Sequence, residues 1–403
     1  MSRPLRRNRD FVLLLSGRLL STLGSQVTAI AYPLLVLALT QSPAKAGIVG
    51  FAGLVPHASL GLFAGVAADR WNRKWLMIAA DGVRMLAIAV LATLILLDRV
   101  AFWQIVIAAF VEGTGAAFFN TAHAGALRSV VPPRQLPAAI GALRARAAAV
   151  TLAGPPLGGV LFALGRAVPF VFDAVSYAFS FLTLVLMRTP FQEAREVDPA
   201  RLRSQMAEGF QFLWERPFLR TCAFVYGLGN FTLPAVLLVI VVAARRQGLS
   251  SAGIGALLAA FGACTLVGAV ASPLFRRAFS MRSILLLELW TGLGIVAFVI
   301  EPNVYVLTAA FMVQGITLPV TDSVVEGYRI AVTPDRLLGR VETARSTISL
   351  LAAPLGPLIA GFLLTATSAR ATIAFVATFT LALAIWGTLS PAIRDAPSLA
   401  DLD

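Results

Sequence analysis

Short charged turns cut this chain into a series of apolar runs, each long enough to cross a bilayer. They lie near residues 11–39, 44–68, 75–97, 101–130, 136–164, 168–188, 218–244, 251–275, 283–300, 303–332, 336–366 and 371–392. A run of 18 or more such residues reads as a transmembrane helix, because inside hydrocarbon the backbone can satisfy its own polar groups only in a helix or a closed barrel. The expected fold class is therefore an all-α membrane protein with twelve transmembrane helices. Composition agrees: the 403 residues are 58% hydrophobic and 13% charged, with a mean hydropathy of +0.82, far above a soluble domain.

A formal net charge of +13 could suggest nucleic acid as a partner. The bases, however, sit in short turns between apolar runs rather than on a solvated face, so no nucleic-acid partner is expected and the bilayer is. Two lysines, Lys45 and Lys74, stand against 31 arginines. Cys222 and Cys264 lie inside apolar runs with no cysteine or histidine at metal spacing, which points to neither a disulfide framework nor a metal site. The first run follows Arg3, Arg6, Arg7 and Arg9, is too long for a signal-peptide core and is expected to remain as the first span.

Between the sixth and seventh runs, about residues 189 to 217, lies the longest hydrophilic segment, with Arg195, Arg201, Arg203 and Arg216 among several acids. The division expected from it is an N-terminal six-helix bundle over 1–190, a central loop over 191–217 and a C-terminal six-helix bundle over 218–403. The halves repeat each other. At an offset of 201, Pro133, Leu136, Arg144 and Pro156 meet Pro334, Leu337, Arg345 and Pro357; at 202, Gly113 meets Gly315; at 203, Gly65, Arg73 and Lys74 meet Gly268, Arg276 and Arg277. Two parallel repeats of this kind place a substrate site near the bilayer midplane, between the halves. With the N-terminus inside, the outer loops hold only Lys45, Arg99, Arg166, Arg245, Arg246 and Arg370, while about twenty-two bases fall in inner loops and tails. By the positive-inside rule, both termini and the central loop are expected to be cytoplasmic.

Between the second and third runs stands Gly65-Val-Ala-Ala-Asp69-Arg70-Trp-Asn-Arg73-Lys74. Such a charged turn must lie at a water interface. On the residues alone its bases could serve only to fix orientation. The pattern Gly-x-x-x-Asp-Arg-x-x-Arg-Lys in this position resembles the loop signature of the major facilitator superfamily of secondary transporters, and the resemblance covers essentially the whole chain. It implies that Asp69 meets the positive end of the eleventh helix, expected to begin near Arg336 to Gly339, and locks the outward-facing state. Free amides there would favour a carboxylate by about 0.3–1 kcal/mol. The second-half counterparts are Ser272 and Pro273, so only the first-half latch keeps its acid.

In the fifth run, Gly141 followed by Gly154-Pro155-Pro156-Leu157-Gly158-Gly159 resembles the signature of antiporters, with Val150 in place of its middle glycine. Small residues there let helices approach closely, and the prolines bend the helix. The strings Phe-Phe-Asn-Thr-Ala-His (118–123), Phe172-Asp173-Ala174-Val175-Ser176-Tyr177 and Leu338-Gly339-Arg340-Val341 are similar to the macrolide-efflux and enterobactin-exporter branch. One departure stands out: where many proton-coupled exporters carry an arginine on the fourth helix ahead of a Gln-Gly pair, this chain has Ala109, then Glu112-Gly113.

Buried polarity supplies independent candidates. An ionisable group at a helix centre costs about 2.5–3.5 kcal/mol on the insertion scale. Four of them, Arg18, Glu112, Glu288 and Asp322, must therefore be paired or face water. On the first span Arg18, Thr22, Ser25 and Gln26 share a face; on the fourth, Glu112, Asn120 and His123 do so. The seventh offers Tyr226 and Asn230, and the tenth Gln314, Asp322 and Glu326. The resemblance implies that these four helices line a central cavity. Glu112 and Asp322 are the candidate proton carriers, with Arg18 or Arg144 as possible partners, while any one of these residues could instead make a structural interhelical bond. His57 reads as core.

The function expected is a secondary exporter of amphipathic drugs or metabolites, driven by proton antiport through alternating access, acting as a monomer in the cell (inner) membrane without a cofactor. Its partners are a small-molecule substrate and protons. An importer or facilitator of a small metabolite is the alternative. A phosphate-cradling Gly-Lys-Ser/Thr is missing, since neither lysine follows a glycine, which argues against an ATP-driven pump. No His-Glu-x-x-His or Gly-x-Ser-x-Gly marks a membrane-embedded enzyme, and none is expected.

Overall fold

The computed structural model describes residues 5–189, 191 and 199–396. Among them all regular structure is helical, as a chain denied water along most of its length requires. Six long helices come first: α1 (Arg9–Thr40), α2 (Pro43–Arg70), α3 (Arg73–Leu96), α4 (Phe102–Val130), α5 (Leu136–Leu164) and α6 (Val168–Leu186). A polar helix, α7 (Pro199–Glu215), occupies the second part of the central loop. The seventh span is divided into α8 (Pro217–Gly229) and α9 (Thr232–Arg246), and the eighth is α10 (Ser251–Ala278). In the ninth, α11 (Met281–Thr291) passes through a 3₁₀ turn into α12 (Ala297–Ile300). The tenth is α13 (Val304–Val332); the eleventh is divided into α14 (Leu338–Ala352) and α15 (Leu355–Ala366); α16 (Ala369–Leu389) and a final turn, α17 (Pro391–Arg394), complete the chain.

Eleven spans among the described residues are long and apolar enough to cross a membrane. With α2, 28 residues long and so about 42 Å at 1.5 Å per residue, they make the twelve expected. Polar turn residues set several helix starts. Asn8 accepts from the Phe11 amide at 3.2 Å, Asn72 from Lys74 and Trp75 at 3.0 and 3.3 Å, and Asn303 from Tyr305 at 2.9 Å, each satisfying amides that a first helical turn leaves free.

Two compact units emerge. The first comprises Met1–Gln41, Ile48–Val197 and Ser250–Ala259. Within it α1 packs on α5 and α6, and α3 on α4 and α6, around a core that includes Phe11, Leu76, Met77, Phe119 and Leu184. The second comprises Ser42–Gly47, Asp198–Leu249 and Ala260–Asp403. There α14 packs on α7 and α8, α15 on α9, and α11 on α13 and α16, around Phe218, Cys222, Leu285, Val324 and Val341. The central loop's α7 lies against the start of α14: Glu208 bonds Arg340, Gly209 leaves room for the Arg340 backbone, and Arg216 lies over the Phe212 ring at 3.6 Å.

Candidate polar core of the first unit

Four helices of the first unit bring their polar residues to one place. From α1 come Ser25, Thr28 and Tyr32, a face repeating every three to four residues; from α3, Asp81 and Arg84; from α4, Glu112; and from α6, Asp173, Ser176 and Tyr177. The helices close up because small residues stand at the crossings. A methyl at Gly24 would collide with Asp173 Oδ1 and Ser176 Oγ, and Gly115 opens the groove in which the Arg84 stem lies, with Cγ and Cδ 2.5 and 2.6 Å from where a Cβ would be.

The resulting network is nearly dry: Asp81, Asp173, Thr28 and Tyr177 have no exposed surface, Arg84 has 3% and Glu112 9%. Arg84 Nη1 reaches Asp81 Oδ1 at 3.4 Å, while Nη2 donates to the Tyr177 hydroxyl at 2.5 Å and to Ser25 Oγ at 3.0 Å. Its guanidinium carbon lies 4.1 Å from the centre of the Tyr177 ring, a cation–π contact. The two remaining acids meet hydroxyls instead of a cation. Glu112 accepts from Tyr32 at 2.9 Å, Tyr177 at 3.0 Å and Thr28 at 3.4 Å; Asp173 accepts from Thr28 at 2.9 Å and Ser176 at 3.0 Å.

Only part of this was marked by sequence. Glu112 and Ser25 were candidates; Asp81, Arg84, Asp173 and Tyr177 were not assigned to a site, although charge inside an apolar run, the signal that singled out Glu112, also marks Asp81, Arg84 and Asp173. The expected partner of Glu112 differs from the one found. Arg18 makes no ion pair among the described residues and instead lies 5.2 Å from the centre of the Phe119 ring, on which His123 stacks. The Arg144 side chain lies outside the described residues. Asn120, on the same helix as Glu112, is exposed rather than joined to the network. The buried cation that the resemblance places on the fourth helix is absent at Ala109, and Arg84 delivers one from α3.

The two signature motifs also take definite places. Arg73 Nε donates to the Ala68 carbonyl at 3.2 Å, and Lys74 Nζ to the Met187 carbonyl at 2.6 Å, so these bases close the last turns of α2 and α6. Arg70 is exposed, Gly65 has open space beside it, and the Asp69 side chain lies outside the described residues. On α5, Gly154 faces the Gln26 side chain, Gly158 faces Val27 and Ile30, and Gly159 meets the backbone of Ser251 and Gly255, while Gly255 in turn meets Pro155 and Pro156. A methyl at Gly141 would meet no neighbouring helix within 4 Å among the described residues.

In the second unit a chain of charges joins α13 to α14. Arg329 binds Glu326 at 2.5 Å and Glu342 at 3.1 Å, and Glu342 binds Arg345 at 2.8 Å. Tyr226 donates to the Leu285 carbonyl at 3.0 Å and Asn230 to the Ser349 carbonyl at 3.0 Å, structural bonds between helices. Asp322 is exposed. Glu288 has one buried carboxyl oxygen, and Gln314 its buried amide oxygen, without a partner among the described residues.

The family model described as transmembrane secretion effector matches residues 2–398. The multidrug efflux pump Tap of Mycolicibacterium fortuitum is 27% identical over 401 residues, spanning 95% of this chain and 96% of the relative. Macrolide efflux protein A of Streptococcus pyogenes is 22% identical over 86% of this chain and 87% of its own. Among solved structures, an inward-facing, occupied bacterial homologue of the human lysosomal transporter Spinster superposes with a TM-score of 0.74 at 15% identity, covering 100% of this chain and 99% of that one. A peptide-bound transporter of the POT family superposes at 0.76 and 10% identity, over 96% and 97% of the two chains. Twelve membrane helices in two six-helix repeats, the charged turn at residues 65–74 and a family match over nearly every residue lead to one assignment: this chain belongs to the transmembrane secretion effector family of the major facilitator superfamily.

Proposed function

We propose that the protein exports amphipathic drugs or metabolites across the cell membrane by proton antiport, through alternating access, with both termini and the central loop cytoplasmic. Its full-length relatives bear the names of multidrug and macrolide efflux proteins. The observation that carries the coupling is Glu112, a buried carboxyl on a membrane-spanning helix whose three bonding partners are neutral hydroxyls. A charge so placed is costly and a proton removes the cost, whereas a purely structural acid in hydrocarbon is expected to be ion-paired. A proton-driven exporter needs such a group, able to hold a proton in one state and release it in another.

The test is accumulation and susceptibility in an efflux-deficient host, with a macrolide and a panel of lipophilic cations, alongside substrate-driven proton movement in everted vesicles. Expression should lower accumulation several-fold and collapse of the proton gradient should restore it. Glu112→Gln should abolish concentrative transport while leaving energy-independent exchange. Raised accumulation would instead identify an importer, and concentrative export by Glu112→Gln would move the coupling group elsewhere.

A further inference from the structure

In the polar core of the first unit two buried acids, Glu112 and Asp173, make no ion pair among the described residues, and a single side chain joins them. Thr28 Oγ1 lies 2.9 Å from Asp173 Oδ2 and 3.4 Å from Glu112 Oε1, but a hydroxyl has one proton to give. Every other donor to either acid is also a neutral hydroxyl: Tyr32 and Tyr177 for Glu112, Ser176 for Asp173. The groups that face the pair are Tyr32 from α1, Asp81 and Arg84 from α3 and Tyr177 from α6, with His57 of α2 and Arg18 of α1 further out, each sensing Arg84. Arg84 is engaged with Asp81, Tyr177 and Ser25, makes no hydrogen bond to Glu112 or Asp173, and leaves its Nε without a partner although its surface is 97% covered. Asp81 already offsets its charge. With both acids ionised, the core would hold two uncompensated negative charges bridged by one hydroxyl, an arrangement that like-charge repulsion and burial both oppose.

We propose that Glu112 and Asp173, bridged by Thr28, form one proton-binding unit that holds a single shared proton, and that this is where the transported proton rests. The proposal rests on the antiport reading for its second half only. A shared proton also explains the fit of α1 against α6: Gly24 lets Asp173 approach α1 so closely that Thr28 can reach both acids. Arg84 then has a defined part, because the Tyr177 hydroxyl that donates to Glu112 also receives the Arg84 bond. When the shared proton leaves, Arg84 is the cation positioned, through Tyr177, to answer the new charge.

Infrared spectroscopy of the purified protein in lipid nanodiscs, in H₂O and D₂O over a pH series, reads this without any substrate. The wild type should show a carboxylic-acid C=O band that shifts in D₂O. Glu112→Gln and Asp173→Asn should each lose that band over the same pH range, since with one acid gone the other carries alone the single negative charge that the pair held between them. Thr28→Val, which keeps both acids and the side-chain shape, should leave a band that is shifted and titrates over a different range. A band that survives in either acid variant assigns the proton to the other acid alone and overturns the sharing, as does a Thr28→Val spectrum identical to wild type. Macrolide-driven proton movement in everted vesicles, measured on the same variants, separates the two claims: spectra as expected with proton movement intact in Asp173→Asn would keep the shared proton and overturn its part in transport.

Discussion

Gly24 and Gly141 look alike in the sequence, two glycines in apolar helices, yet their surroundings set opposite expectations. A methyl at Gly24 meets Asp173 and Ser176 well inside contact distance; relief would require α6 to move off α1 and would pull Thr28 away from one of its acids. Gly24→Ala should therefore cost at least the 1–3 kcal/mol of ordinary overpacking, read as a lower melting temperature in detergent, and should abolish transport. Gly141→Ala, with nothing within 4 Å, should leave transport unchanged and raise stability by about 0.4–1 kcal/mol. The sequence places Gly141 in the antiporter-type motif beside Gly154, Gly158 and Gly159, but only the latter three meet a neighbour. Identity was legible at this scale and partnership was not: which acid faces which hydroxyl depends on how α1, α3, α4 and α6 are rotated about their axes. Glu112 stood out because a carboxyl in an apolar run demands an explanation, and Asp173 and Arg84 made the same demand.

At the scale of elements, the α13–α14 connection shows how ionic groups are kept inside a helical unit. Arg329 is the buried member of its chain, with 6% of its side chain exposed against 41% and 39% for Glu326 and Glu342. Because both acids reach solvent, losing the guanidinium strands neither of them completely. Arg329→Met should cost about 1.5–3 kcal/mol, the range for bonds to a charged group, and Glu342→Gln less, since Arg329 keeps Glu326; thermal unfolding of the two variants checks the order. Helix ends were legible wherever asparagine or serine precedes an apolar run. The interruptions inside spans were legible only in part. Pro354 announces the break between α14 and α15, and Gly227, Gly229 and Asn230 with Pro234 just beyond announce the one between α8 and α9, whereas the 3₁₀ turn Gly292–Val296 in the ninth span has no proline to mark it.

For the whole molecule, the twelve spans and the twofold repeat follow from hydropathy and from matched residues at nearly constant offset, because in hydrocarbon the backbone has so few alternatives. The proposed orientation, drawn from the distribution of bases, is checked by single cysteines: positions 45 and 99 should react with a membrane-impermeant reagent on intact cells and position 203 should not, and the reverse pattern would invert the topology. The two units, though repeats in sequence, differ in the continuity of their helices. All six long helices of the first run unbroken among the described residues, even through Pro33, Pro56 and the Pro155–Pro156 pair, while three spans of the second are interrupted. Two of those interruptions lie side by side, with Gly356 against the Phe231 carbonyl and Asn230 tied to Ser349. The helical hydrogen bonds missing at those two breaks make this pair of neighbouring spans the place in the second unit where the backbone bends at least cost, near residues 230 and 354.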